Sequence, residues 1–63
     1  MWEALYETYQ KELLAYGTRM SGSETLAEDL VQETFIKALT HADTVIDLSP
    51  NQQRAWLYRT FKN

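Results

Sequence analysis

In the segment Ala27-Glu28-Asp29-Leu30-Val31-Gln32-Glu33-Thr34-Phe35-Ile36-Lys37-Ala38-Leu39 (AEDLVQETFIKAL), Ala27, Leu30, Val31, Thr34, Phe35 and Ala38 fall at i, i+3, i+4, i+7, i+8 and i+11. That spacing puts them on one face of a helix. Glu24, Glu28, Gln32 and Lys37 mark the opposite face, so the pattern predicts an amphipathic helix over about 24–40. Upstream, Trp2, Leu5, Tyr6, Tyr9, Leu13, Tyr16 and Met20 recur at three- and four-residue steps and predict another helix over about 2–20. Glu3, Glu7 and Glu12 lie toward its start and Arg19 toward its end, in keeping with the helix dipole. Gly17 is an interior weakness of about 1 kcal/mol relative to alanine. Between the two helices, Gly22 can take the left-handed conformation that ends a helix, and Ser21 or Ser23 can cap the next one, with Glu24 in its first turn.

Downstream, residues 42–48 (ADTVIDL) follow neither a period of two nor one of 3.6. They read as part of a loop over 41–49, with buried contacts from Val45, Ile46 or Leu48. Ser49-Pro50-Asn51-Gln52 is a start signal: Ser49 suits the N-cap, Pro50 the first helical position, and Gln52 closes a capping box. The third helix is expected over about 50–63, through Ala55, Trp56, Leu57, Tyr58 and Phe61. It meets the end of the sequence at Asn63 with no cap, glycine or proline, so it is expected to be truncated and the chain to be a piece of a longer protein. The expected fold class is all-α, a small three-helix bundle making one domain over 1–63.

The chain has 63 residues, 44% of them apolar, which suffices for one small core and no second domain. With no cysteine and one histidine, His41, disulfide frameworks, thiolate zinc sites and multi-histidine metal sites are excluded. No cofactor is implied. No apolar run is long enough for a membrane span or a signal-peptide core, and the expectation is a soluble cytoplasmic protein. The formal charge of −3 hides a gradient. Residues 1–33 carry seven acids against Lys11 and Arg19, whereas Lys37, Arg54, Arg59 and Lys62 face only Asp43 and Asp47 in the remainder. Such asymmetry points to two surfaces, one for a cationic partner and one for an anionic partner.

Glu24/Glu28 and Asp29/Glu33 are like-charged pairs four apart. As a catalytic or metal-clamping pair they would need a pocket and ligands from other elements. A solvated face is the simpler reading, and between the two stands a docking surface in which Asp29, Gln32 and Glu33 accept hydrogen bonds from a partner's arginines. His41 at the end of the second helix is explained by the dipole. Ser23 and Ser49 are explained by capping, and neither is flanked by nucleophile-elbow glycines. No catalytic site and no metal site is assigned. Trp56 and Tyr58 stand among Arg54, Arg59 and Lys62, a mixture suited to stacking on melted nucleic acid but equally to an ordinary core with solvated cations; the residues alone leave both readings open.

AEDLVQETFIKAL closely resembles conserved region two of bacterial sigma factors, most of all the extracytoplasmic-function (group four) subfamily. Leu5-Tyr6, Leu13-Leu14 and Met20-Ser21-Gly22-Ser23 are similar to the segment before it, and Arg54-Ala55-Trp56-Leu57-Tyr58-Arg59-Thr60 (RAWLYRT) with Asn63 to the promoter-reading helix after it. The resemblance implies a non-enzymatic domain in transcription initiation. Its second helix would dock on the clamp helices of the RNA polymerase β′ subunit through Asp29, Gln32 and Glu33, flanked by Ile36 and Leu39. The loop and third helix would recognise and melt the promoter minus-ten element. Arg54, Arg59 and Lys62 would meet phosphates, Thr60 and Asn63 the upstream edge of the element, and Trp56 and Leu57 the core beside the point of strand separation. A base flipped into a pocket built by residues 42–51 would supply sequence choice. An anti-sigma factor is a further partner the subfamily implies. Gln53 departs from the aromatic residue family members often have there, and no counterpart of region four is present. Two other classes remain open on the residues alone: a helical interaction or dimerisation module with no DNA role, and an acidic-face metal or hydrolase site.

Overall fold

The computed structural model describes residues 2–63, with side chains from residue 3 onward. The side chain of Trp2, assigned above to the first apolar stripe, lies outside the described set. Four helices and no strand occur among the described residues: α1 (Trp2–Ser21), α2 (Glu24–Thr40), α3 (Ala42–Val45) and α4 (Pro50–Lys62). The segment expected to be loop therefore contains a helical turn. His41 starts it by accepting from the N–H groups of Thr44 and Val45, both at 3.0 Å. Four residues are too few to display a period, which is why the pattern dissolves there. The turn drives Val45 into the core (1% exposed), while Leu48 is half-buried and Ile46 faces out.

Local chemistry sets the helix ends. Gly22 takes φ 75 and donates to the Thr18 carbonyl at 2.8 Å, closing α1. Open space surrounds the position a β-carbon would occupy there. Of the two serines available, Ser23 caps α2, its Oγ accepting from the Leu26 N–H at 3.1 Å. The Ser21 hydroxyl instead donates to the Gly17 carbonyl at 2.7 Å. At α4 the capping box is complete: Ser49 Oγ accepts from Gln52 N–H, Gln52 Oε1 accepts from Ser49 N–H, and Pro50 opens the helix.

α2 packs along α1 on one side and α4 on the other, and α1 and α4 meet over a shorter stretch. The core consists of Leu5 and Leu13 from α1, Ala27, Val31, Phe35 and Ala38 from α2, Val45 from α3, and Leu57 and Phe61 from α4. Thr34 joins the buried face at no polar cost, because its hydroxyl donates to the Leu30 carbonyl at 2.8 Å. Tyr9 and Tyr16 of the first stripe are half-buried and Tyr6 lies at the margin. Met20 is 67% exposed and does not join the core, since it belongs to the last turn of α1.

Gly17 has a reason to be glycine that helix propensity does not reveal. A β-carbon there would lie 2.6 Å from Phe61 Cζ and 3.1 Å from Ala27 Cβ, at the point where all three long helices converge. Alanine would gain about 1 kcal/mol of helix propensity, but the overpacking costs about 1–3 kcal/mol. Gly17→Ala is therefore expected to lower the melting temperature; a rise would mean that Phe61 swings aside without loss.

Candidate functional site

Asp29, Gln32, Glu33, Ile36 and Leu39 are all exposed on α2. They form one stripe about 15 Å long at 1.5 Å per residue, directly beside the buried stripe of the same helix. The alternation is sharp: Thr34 and Phe35 are 3% and 2% exposed, Ile36 and Leu39 63% and 55%. Two large aliphatic side chains in water beside carboxylates make a surface of mixed character, capable of charge-assisted hydrogen bonds and apolar contact together. Glu33 is loosely engaged with Lys37 at 3.9 Å, an exposed i,i+4 pair that a partner's guanidinium can displace at little cost.

Arg54, Trp56, Arg59, Thr60 and Lys62 of α4 and its C-cap Asn63 do not share one face. Trp56, Arg59, Thr60 and Asn63 stand at i, i+3, i+4 and i+7 and form a stripe. Arg54 and Lys62 lie toward the other edge of the helix. Trp56 is half-buried against the core, its ring edge-on to that of His41 with centroids 6.3 Å apart. Together with Leu48, Gln52, Ala55 and Arg59 it lines an open hollow of about 210 Å³ at the junction of the α3–α4 loop and α4; only Leu48 comes from the 42–51 segment expected to build a pocket, the other four from α4. Thr60 and Asn63 border a narrow cleft against Glu33 and Lys37 of α2. Lys62 Nζ lies over the Tyr16 ring at 5.7 Å. Among the described residues neither Arg59 nor Lys62 has a carboxylate within ion-pair distance.

Arg54 is different. Its Nη2 and Nε donate to Glu12 Oε2 at 2.6 and 3.0 Å, and the Tyr58 hydroxyl donates to the same oxygen at 2.7 Å. The guanidinium also lies over the Tyr58 ring at 5.0 Å. The hydrogen bonds from Tyr58 and Arg54 hold the Glu12 carboxyl below its ordinary range, and burial with the bond to Glu12 holds the Tyr58 hydroxyl above its own. Glu12 is thus in mid-helix and serves α4, rather than supporting the start of α1.

Gln53 donates from Nε2 to the Val45 carbonyl at 3.0 Å, tying the end of α3 to α4. This polar tether fixes one side of the loop. No group of three or more His, Asp or Glu among the described residues could hold a metal ion. No described helix is long and apolar enough to cross a membrane.

The family model described as Sigma-70 region 2 matches residues 5–63, nearly the whole chain. The chain belongs to the sigma-70 region 2 family. This region 2 domain is 37% identical over 60 residues to the ECF RNA polymerase sigma factor SigL of Mycobacterium tuberculosis, a match covering 95% of the chain and 33% of that relative. It is 44% identical over 57 residues to the ECF RNA polymerase sigma factor SigG of the same organism, covering 90% of the chain and 15% of that relative. The chain therefore spans a third or less of the curated relatives it matches. No solved structure gives a significant match.

Within the region 2 domain, the five α2 residues are brought onto one continuous face, while the α4 residues are divided between a stripe, a cation at its margin and a cation held by α1. Glu12 and Gln53 were given no site role by the residue patterns. Glu12 reaches across 42 positions to Arg54, and Gln53 across eight to the Val45 carbonyl; no local signal marks either partner.

Proposed function

We propose that this domain acts in transcription initiation in the cytoplasm, docking on the β′ clamp helices of RNA polymerase through α2 and recognising and melting the promoter minus-ten element with the α3–α4 loop and α4. The observation that carries the reading is the exposed stripe of Asp29, Gln32, Glu33, Ile36 and Leu39 lying beside the core stripe of the same helix. A basic clamp helix would pair its guanidinium groups with the carboxylates and cover the two aliphatic side chains. On α4, Arg59 and Lys62 supply charge for phosphates, and Trp56, Thr60 and Asn63 border the bases. The hollow lined by Leu48, Gln52, Ala55, Trp56 and Arg59 is the place for an unstacked base, because it adjoins both the loop and a cation. An anti-sigma factor covering either face would exclude polymerase or promoter. The domain has no chemical step to perform; it binds and reshapes.

Calorimetric titration of the chain with a β′ clamp-helix peptide tests docking, and salt-sensitive binding is expected. Arg59→Ala with Lys62→Ala should leave that binding intact while promoter opening by the factor with polymerase falls roughly tenfold, the scale of two lost phosphate contacts. Equal loss of both activities would contradict two separate surfaces.

A further inference from the structure

Three hydrogen bonds converge on one oxygen of Glu12, two from Arg54 and one from Tyr58. Glu12 lies well past the first turn of α1, where the dipole acts, so the helix itself gives the carboxylate no special role there. Their effect falls on α4. This helix carries Arg54, Arg59 and Lys62 and no acid, yet Arg54 is paired with a carboxylate from another helix and turned toward α1, its Cζ 5.0 Å from the centroid of the Tyr58 ring. A phosphate approaching that guanidinium would come within a few ångströms of the Glu12 carboxylate and be repelled by it. Arg59 and Lys62 have no such companion among the described residues.

We propose that Glu12 is a positioning residue that withholds Arg54 from nucleic-acid phosphates, so that α4 presents the charge of Arg59 and Lys62 alone. The inference rests on α4 being the nucleic-acid face. Its effect is a brake: affinity for free nucleic acid stays low.

The test measures anisotropy of a labelled oligothymidine with the 63-residue chain over a series of KCl concentrations, with helicity followed by circular dichroism. Glu12→Gln is expected to bind several-fold tighter at low salt and to steepen the dependence of log K on log[KCl] by about 0.7, the value of one added phosphate contact on a single strand. E12Q/R54Q should return to the parent slope. An unchanged slope in a folded E12Q overturns the proposal. So does a gain that survives in E12Q/R54Q, which would come from removing a negative charge and not from releasing Arg54. Loss of helicity in E12Q would make the network a strut and overturn it as well. Arg59→Ala with Lys62→Ala, measured alongside, separates the two levels: if it does not weaken binding, the nucleic-acid face itself is wrong, and if it does while E12Q behaves like the parent, only the role of Glu12 fails.

Discussion

Asp29→Arg with Glu33→Arg is expected to abolish binding of the domain to the β′ clamp-helix peptide while leaving its helicity and melting temperature nearly unchanged. Each acid sits on the outer stripe of α2, away from the core. Reversal replaces two attractive contacts with two repulsive ones against a basic partner, a change worth at least about 2 kcal/mol, or roughly 30-fold in Kd. The cost to the fold is small, because among the described residues the only ion pair given up is the exposed contact of Glu33 with Lys37, and a like-charged pair four apart costs a few tenths of a kcal/mol. Calorimetry with the parent and the double variant decides the matter. Unaltered binding by a folded double variant would remove α2 as the docking face.

The second large effect lies one face away on the same helix. Phe35 is 2% exposed and meets the Tyr6 ring edge-on at 5.0 Å. Phe35→Ala is expected to cost about 3–5 kcal/mol, comparable with the entire stability of about 3–9 kcal/mol available to a domain of this size. Urea denaturation followed at 222 nm should show the variant largely unfolded or close to it. Its neighbour Ile36 is 63% exposed, and Ile36→Ala should shift stability by under about 0.5 kcal/mol. A Phe35→Ala protein as stable as the parent would mean that the α1–α2 interface repacks freely, contrary to its closed packing.

Adjacent residues with opposite duties are also where sequence reasoning works best. The phase of α2 can be read because a helix with one buried stripe must expose the rest; which exposed residues form the stripe proposed for docking is not periodic information, and Ile36 and Leu39 are marked for it by the family resemblance alone. Ser23, Ser49, Pro50 and Gln52 act within four residues of themselves, so their capping roles were legible, although only the structure distinguishes Ser23 from Ser21. What escaped depends on segments that meet only after folding. Gly17 looked like a weakness and proves to be the site where Phe61 and Ala27 close on α1. Met20 fits the stripe by spacing but not by packing. The α3 turn is shorter than the period by which helices are detected. On α4, residue types alone could not separate Arg54 from Arg59, because the difference between them is a carboxylate on α1.

The two glycines teach opposite lessons. At position 17 the packed neighbours decide what side chain is admissible, but at position 22 they have no say: φ is 75 and, beyond the adjoining chain, nothing lies within 4 Å of where a β-carbon would be. Any cost of a guest residue there is then the intrinsic cost of left-handed backbone, about 1–2 kcal/mol for most L-residues and less for asparagine. Position 22 is thereby a natural host–guest site, a calibrated socket in which small side chains other than proline could be ranked for that one conformation with the β-carbon standing clear of the rest of the fold.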